Sequence, residues 1–191
     1  MKNPSRFLPQ GTRQGHALKR LSLAIVSLLA TGLSTLPAHA ATRTWSGNGL
    51  GSYWSADQYL FGSRMNNWSQ EDVPVSGDML VFAGSKNASN RNDLVNLNIA
   101  GLSFAAGSTA FTLSGNALAL TGSIINLSNQ LQTLELPITL AATSTWDGGT
   151  AGLLMSGALN TANRGLTLKN KVEVSNADTD WTVGQGAAQS F

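Results

Sequence analysis

Between Ala100 and Trp146 the chain alternates apolar and polar residues in pieces of three. Leu102-Ser103-Phe104, Phe111-Thr112-Leu113, Leu118-Ala119-Leu120, Leu134-Glu135-Leu136 and Ile138-Thr139-Leu140 each place two apolar side chains on one face. Period-two alternation in such short pieces predicts strands rather than helices. The connections carry Gly107, Gly115 and Gly122, a residue that reaches positive φ without a steric penalty. A chain that turns every few residues and keeps re-presenting one apolar face predicts a coil wound around its own core.

The pattern has a step. Leu113, Leu134 and Met155 stand 21 residues apart, as do Phe104, Ile125 and Trp146, and likewise Ile99, Leu120, Ala141 and Ala162. A step of this size belongs to solenoid repeats, and three short strands per coil account for it. Pro137 lies between LEL and ITL and cannot donate to a strand ladder, so it marks a corner. Beyond Gly165 the step breaks, while Leu166-Thr167-Leu168, Val172-Glu173-Val174 and Trp181-Thr182-Val183 continue the triplets.

Residues Ala41–Val95 have a different texture. They hold Trp45, Trp54 and Trp68, both tyrosines and irregular stretches such as Ser46-Gly47-Asn48-Gly49. Aromatic side chains bury large areas, and the terminal unit of a solenoid must cover apolar core and unpaired strand edges. A capping role is the preferred reading. The alternative is a glycan-binding platform of exposed tryptophans.

Met1–Ala40 stands apart from the fold. Lys2, Arg6, Arg13, Lys19 and Arg20 precede the uncharged run Leu21–Leu33, and Ala38-His39-Ala40 supplies the small residues of a cleavage site. This is the form of a secretory signal cut after Ala40. The thirteen residues of the run are too few for a membrane span, which needs about twenty.

Removing the leader changes the chemistry. Ala41–Phe191 keeps seven Lys and Arg against ten Asp and Glu, a net charge of −3. No basic footprint for nucleic acid remains. His16 and His39 leave with the leader and the chain has no Cys. Histidine-based triads, thiol nucleophiles, imidazole zinc sites and disulfides are thereby excluded from the mature chain. The carboxylate groupings Glu71-Asp72, Asp78, and Asp178 with Asp180 are read as turn or solvated residues rather than a catalytic pair or calcium site. Asp147-Gly148-Gly149 reads as a turn. Asn67, Asn87 and Asn126 match the glycosylation sequon, and a bacterial source would make those matches incidental.

Several of these segments together resemble the autotransporter-associated β-strand repeat proteins. Thr44-Trp45-Ser46-Gly47, Tyr53-Trp54-Ser55, Asn67-Trp68-Ser69, and Gly77-Asp78 with Val81-Phe82 look like the family's N-terminal pattern. Gly101-Leu102-Ser103-Phe104, Phe111–Gly115 and Leu118–Gly122 continue it. Gln132-Thr133-Leu134, Pro137–Leu140 and Thr145-Trp146 resemble the repeat itself. The likeness runs over most of Thr44–Leu168, with an apparent insertion around Tyr59–Asn66. It implies a right-handed, single-stranded parallel β-helix, the passenger of a type V secreted protein. Such proteins usually carry many more coils and a C-terminal outer-membrane barrel, so a fragment, or a short passenger-like protein without its own translocator, is expected. Phe191 matches the last residue of many outer-membrane strands, but the residues before it lack the alternating apolar face of such a strand.

The expectation is therefore an all-β protein. It comprises a signal peptide over 1–40, a Trp-rich N-terminal cap over 41–95 and β-helix coils over 96–191. Its expected role is structural and non-enzymatic, exported to the cell surface, outer membrane or medium, or to the periplasm if the translocator is missing, with adhesin-like binding. The expected partners are an outer-membrane translocator barrel and host-cell, matrix or glycan surfaces, with no nucleic acid. No catalytic, cofactor or metal residues are assigned. The alternative is a polysaccharide-binding or polysaccharide-degrading β-helix.

Overall fold

The computed structural model describes residues 40–69 and 72–175. Residues 1–39 of the expected signal peptide, Glu71, Asp178, Asp180, the Trp181 triplet and Phe191 lie outside them. The described chain is all β, built from strands of two to four residues with no helix among them. Strand β1 (Thr42–Trp45) is followed by a hairpin, β2 (Asp57–Leu60) and β3 (Ser63–Asn66). The chain then winds. Its first turn is β4 (Met79–Phe82), β5 (Ser89–Asn92) and β6 (Leu97–Ile99), and its second is β7 (Gly101–Phe104), β8 (Thr112–Gly115) and β9 (Leu118–Leu120). The third is β10 (Ile124–Asn126), β11 (Gln132–Leu134) and β12 (Ile138–Leu140), and the fourth β13 (Ser144–Asp147), β14 (Leu153–Met155) and β15 (Leu159–Asn160). Strands β16 (Leu166–Lys169) and β17 (Val172–Val174) open a fifth.

Apart from β2 and β3, which pair antiparallel with each other, each strand pairs in parallel with its counterpart one turn away, giving three stacked sheets. They run β1-β4-β7-β10-β13-β16, β5-β8-β11-β14-β17 and β6-β9-β12-β15. This is the expected parallel β-solenoid. Apolar side chains at alternate positions face inward from all three sheets and form one continuous core. The column Leu113, Leu134, Met155 is in register as the 21-residue step requires. Pro137 sits in the corner between β11 and β12, where it gives up no strand donor and its carbonyl accepts from Leu118 N–H at 3.0 Å.

The other two columns are corrected. In the first sheet Leu80, Leu102, Ile124, Trp146 and Leu168 align, one every 22 residues. Ile125 therefore points outward, opposite Ser103 and Asp147. In the third sheet Ile99 meets Leu120 as expected, but Leu120 meets Leu140 rather than Ala141. The cause is unequal corners: four residues separate Leu113 from Leu118 but only three separate Leu134 from Ile138. No single step can hold in all three sheets.

Stacking also begins upstream of residue 96, since β4 and β5 already belong to it. Strand β5 reads Ser-Asn-Arg-Asn, with Asn90 and Asn92 facing inward. Lacking any apolar residue, it shows no hydrophobic alternation. Residues 41–69 and 72–78 cover the first turn. Asn67–Ser69 bonds along the outer edge of β1, through Ser69 N–H to Thr44 O at 2.8 Å and Ser46 N–H to Asn67 O at 2.7 Å. Ser52–Trp54 does the same for β5 through Arg91. Gly77 N–H donates to Asn98 O at 2.7 Å beside β6. A sheet edge left unpaired would template association with other chains, and these contacts close all three edges.

The three tryptophans fill the same end. Trp45, Phe82 and Phe104 stack in register with ring centroids 5.9 and 5.7 Å apart. Trp68 meets Trp45 edge-on at 5.2 Å, and Trp54 lies 5.6 Å from Phe82. All three indoles are buried, and their N–H groups reach Lys86 O, Asn90 Oδ1 and Trp54 O. None offers a face to a sugar ring. Each such ring pair adds about 0.5–1.5 kcal/mol beyond its area burial.

Candidate functional site

Corners are built by one recurring device. Asn66, Asn92, Asn126, Asp147 and Asn160 each end a strand and accept, through the side-chain oxygen, the backbone N–H two residues on. The side chain stands in for the next ladder partner while the backbone changes direction. Asp147-Gly148-Gly149 is thus a turn, as expected. Its carboxyl also accepts from Asn170, and these bonds hold its pKa below the ordinary value. Asn126 is buried, and its Nδ2 donates to Gly152 O at 2.7 Å and Gln130 O at 2.9 Å. Asn67 is equally buried. These two sequon residues serve the backbone and present no free amide.

Of the carboxylates singled out in the sequence, Asp72 and Asp78 come together around Arg43 of β1. Arg43 Nε donates to Asp78 Oδ2 at 3.0 Å and Nη1 to Asp72 Oδ2 at 2.9 Å. Burial alone would pull the guanidinium pKa down, but its bonds to Asp78 and Asp72 outweigh that and hold it above its usual value. Asp78 is fully buried, and it accepts further from Val75 N–H at 3.0 Å and Ala41 N–H at 2.9 Å. Arg64 of β3 approaches Asp72 to 3.9 Å and grips Asp57 of β2 at 2.7 and 2.6 Å. The Arg64 bonds depress the Asp57 pKa. Charges of alternating sign thus run from the exposed hairpin to the buried Asp78. Among the described residues no three potential ligands gather to hold a metal ion.

The hairpin is the insertion expected around Tyr59–Asn66, and its tip was not legible as a surface feature. Phe61 and Gly62 form a two-residue turn with φ of +51° and +81°. Such turns favour Asn-Gly, and a bulky residue at positive φ is strained by about 1–3 kcal/mol. Phe61 is nevertheless completely exposed, at 102 %, beside Tyr59 at 74 %. The signal available in the sequence is the Tyr-Leu-Phe-Gly run itself, which breaks the coil pattern without adding a core position. On the strands of the winding the outward positions are mostly short and polar, such as Thr112, Thr133, Thr139 and Thr145, while Val95, Leu127 and Leu131 are exposed between strands.

The chain matches no family model, no curated protein and no solved structure.

Proposed function

We propose that the protein is an exported, non-enzymatic β-solenoid of the autotransporter passenger type, with an adhesin-like role exercised through its loops. The observation that carries this reading is the β2–β3 tip. Backbone strain is tolerated there in order to display two aromatic rings, while Trp45, Trp54, Trp68 and Phe82 of the capped end are packed inside and Tyr53 is half-exposed. Strained, exposed loop residues on a rigid scaffold are where binding concentrates. The carboxylates support a structural role. Asp57, Asp72, Asp78, Asp93 and Asp147 are each held by an arginine, a hydroxyl or backbone N–H groups.

The test presents the purified chain to immobilised extracellular-matrix proteins and a glycan array. Binding should be lost in Tyr59→Ser/Phe61→Ser while the melting temperature stays within a few degrees of the parent. Undiminished binding by the double variant, or no binding by either protein, overturns the assignment to this loop. Turnover of pectins or other acidic polysaccharides, with or without calcium, would establish the polysaccharide-acting alternative instead.

A further inference from the structure

The Asp78 carboxylate has an unusual third partner beside Arg43 and Val75. The backbone nitrogen of Ala41 lies 2.9 Å from Asp78 Oδ1, and Ala41 is the residue that follows the expected cleavage position. We propose that Asp78 is the receptor for a new N terminus: processing after Ala40 turns the Ala41 amide into an ammonium that ion-pairs with the buried carboxylate and locks the cap. This rests on the reading of Met1–Ala40 as a cleaved signal.

The residue is held in place from both sides. Its N–H reaches Asp78, and its carbonyl accepts from Met79 N–H at 2.8 Å, the bond that seats the start of β1 beside β4. Ala40, by contrast, is exposed. Hydrolysis of the Ala40–Ala41 peptide by a signal peptidase adds one water. Ala40 leaves with a carboxylate, and the amine kept by Ala41 takes a proton from solvent. No displacement of Ala41 is needed for the resulting ammonium to meet Asp78.

Charge balance favours the same event. Among the described residues the group joins three carboxylates, Asp57, Asp72 and Asp78, to two guanidinium groups, Arg43 between Asp72 and Asp78 and Arg64 between Asp57 and Asp72. These five described side chains therefore carry one excess negative charge, and one of the carboxylates has no solvent exposure. Buried charges are stable when paired and hydrogen-bonded. The ammonium makes the group neutral and converts a neutral donor into a charge-assisted one, which is roughly twice as strong.

The sign of the pH dependence follows. An α-amino group titrates at about 7.7–8.0 when unperturbed, and pairing with Asp78 raises that value in the folded chain. The added stability is complete below the unfolded value and is lost as pH rises through the folded one. The experiment compares the Ala41–Phe191 chain bearing a free amine with the same chain Nα-acetylated at Ala41, by melting temperature from pH 6 to 10.5. The free amine should melt about 5 °C higher at pH 6–7, with the gap closing by the alkaline limit. Asp78→Asn should abolish the gap, and if that variant fails to fold the acetylation pair still decides. Equal melting at every pH overturns the receptor role. Sequencing the N terminus of the chain exported from a Gram-negative host tests the underlying reading separately. Ala41 as first residue is expected, and any other start removes the processing event whatever the melting curves show.

Discussion

Arg43 occupies on β1 the place that Leu80 occupies on β4, so the core column of Leu80, Leu102, Ile124 and Trp146 ends in a guanidinium. An apolar residue there would continue the stack and ask for another turn above it. The charged head instead turns to Asp78 and Asp72 and closes the column with hydrogen bonds.

Replacing Arg43 with Met keeps the bulk but strands Asp78 without its cation. Breaking a buried pair in this way should cost about 3 kcal/mol, measured by urea denaturation. Arg43→Met/Asp78→Asn should lose less than the two single changes added together. Strict additivity would separate Arg43 from Asp78 energetically.

Leu134 lies in the middle of the column from Leu113 to Met155 and is fully buried. Leu134→Ala should lower stability by about 2–5 kcal/mol through lost burial and the cavity left behind. Leu134→Asp would place an unpaired charge in the same space, and its circular dichroism should show no cooperative melt. A parent-like melt for the aspartate variant would remove Leu134 from the core.

That column was readable from spacing alone, as were the Pro137 corner and the crowding of tryptophans at one end. Strand β5 was not, because its inward positions are filled by Asn90 and Asn92, whose amides serve the Trp54 indole and the next corner. Asn126 is a similar case. It follows Phe104 in register and replaces a ring with an amide that bonds the neighbouring turns. Hydrophobic periodicity cannot reveal an inward position held by polar chemistry. Nor could it show that Trp45 is buried while Phe61 is exposed, since both are aromatic residues in irregular sequence.

Phe61→Asn should stabilise the chain by about 1 kcal/mol, because asparagine accepts the left-handed conformation that phenylalanine resists. The same substitution should weaken the binding assigned to the hairpin. A loss of stability would mean that the ring makes a contact which compensates for its backbone strain.

Acid should weaken the fold through Asp57 and Asp147. Hydrogen bonds from Arg64 in one case and from Asn170 and Gly149 in the other hold their folded pKa values below the ordinary carboxylate range. The stability they contribute is present above an unfolded value of about 3.9 and is lost as pH falls through the folded values. Melting temperatures between pH 5 and pH 2 should fall less steeply for Asp57→Asn and Asp147→Asn than for the parent. Parallel curves would remove these two groups from acid unfolding.

The stacked register is the claim on which the rest depends, and the absence of cysteine from the chain makes it directly measurable. Thr133 of β11 and Leu154 of β14 are partners on adjacent turns. Aligned Cα atoms of neighbouring strands fall within the span a disulfide bridges. The variant Thr133→Cys/Leu154→Cys should therefore cross-link within the monomer under mild oxidation and melt at a higher temperature once oxidised. The control Thr112→Cys/Leu154→Cys, two turns apart, should remain reduced. Cross-linking of the control in preference to the aligned pair would contradict the solenoid register and the cap built upon it.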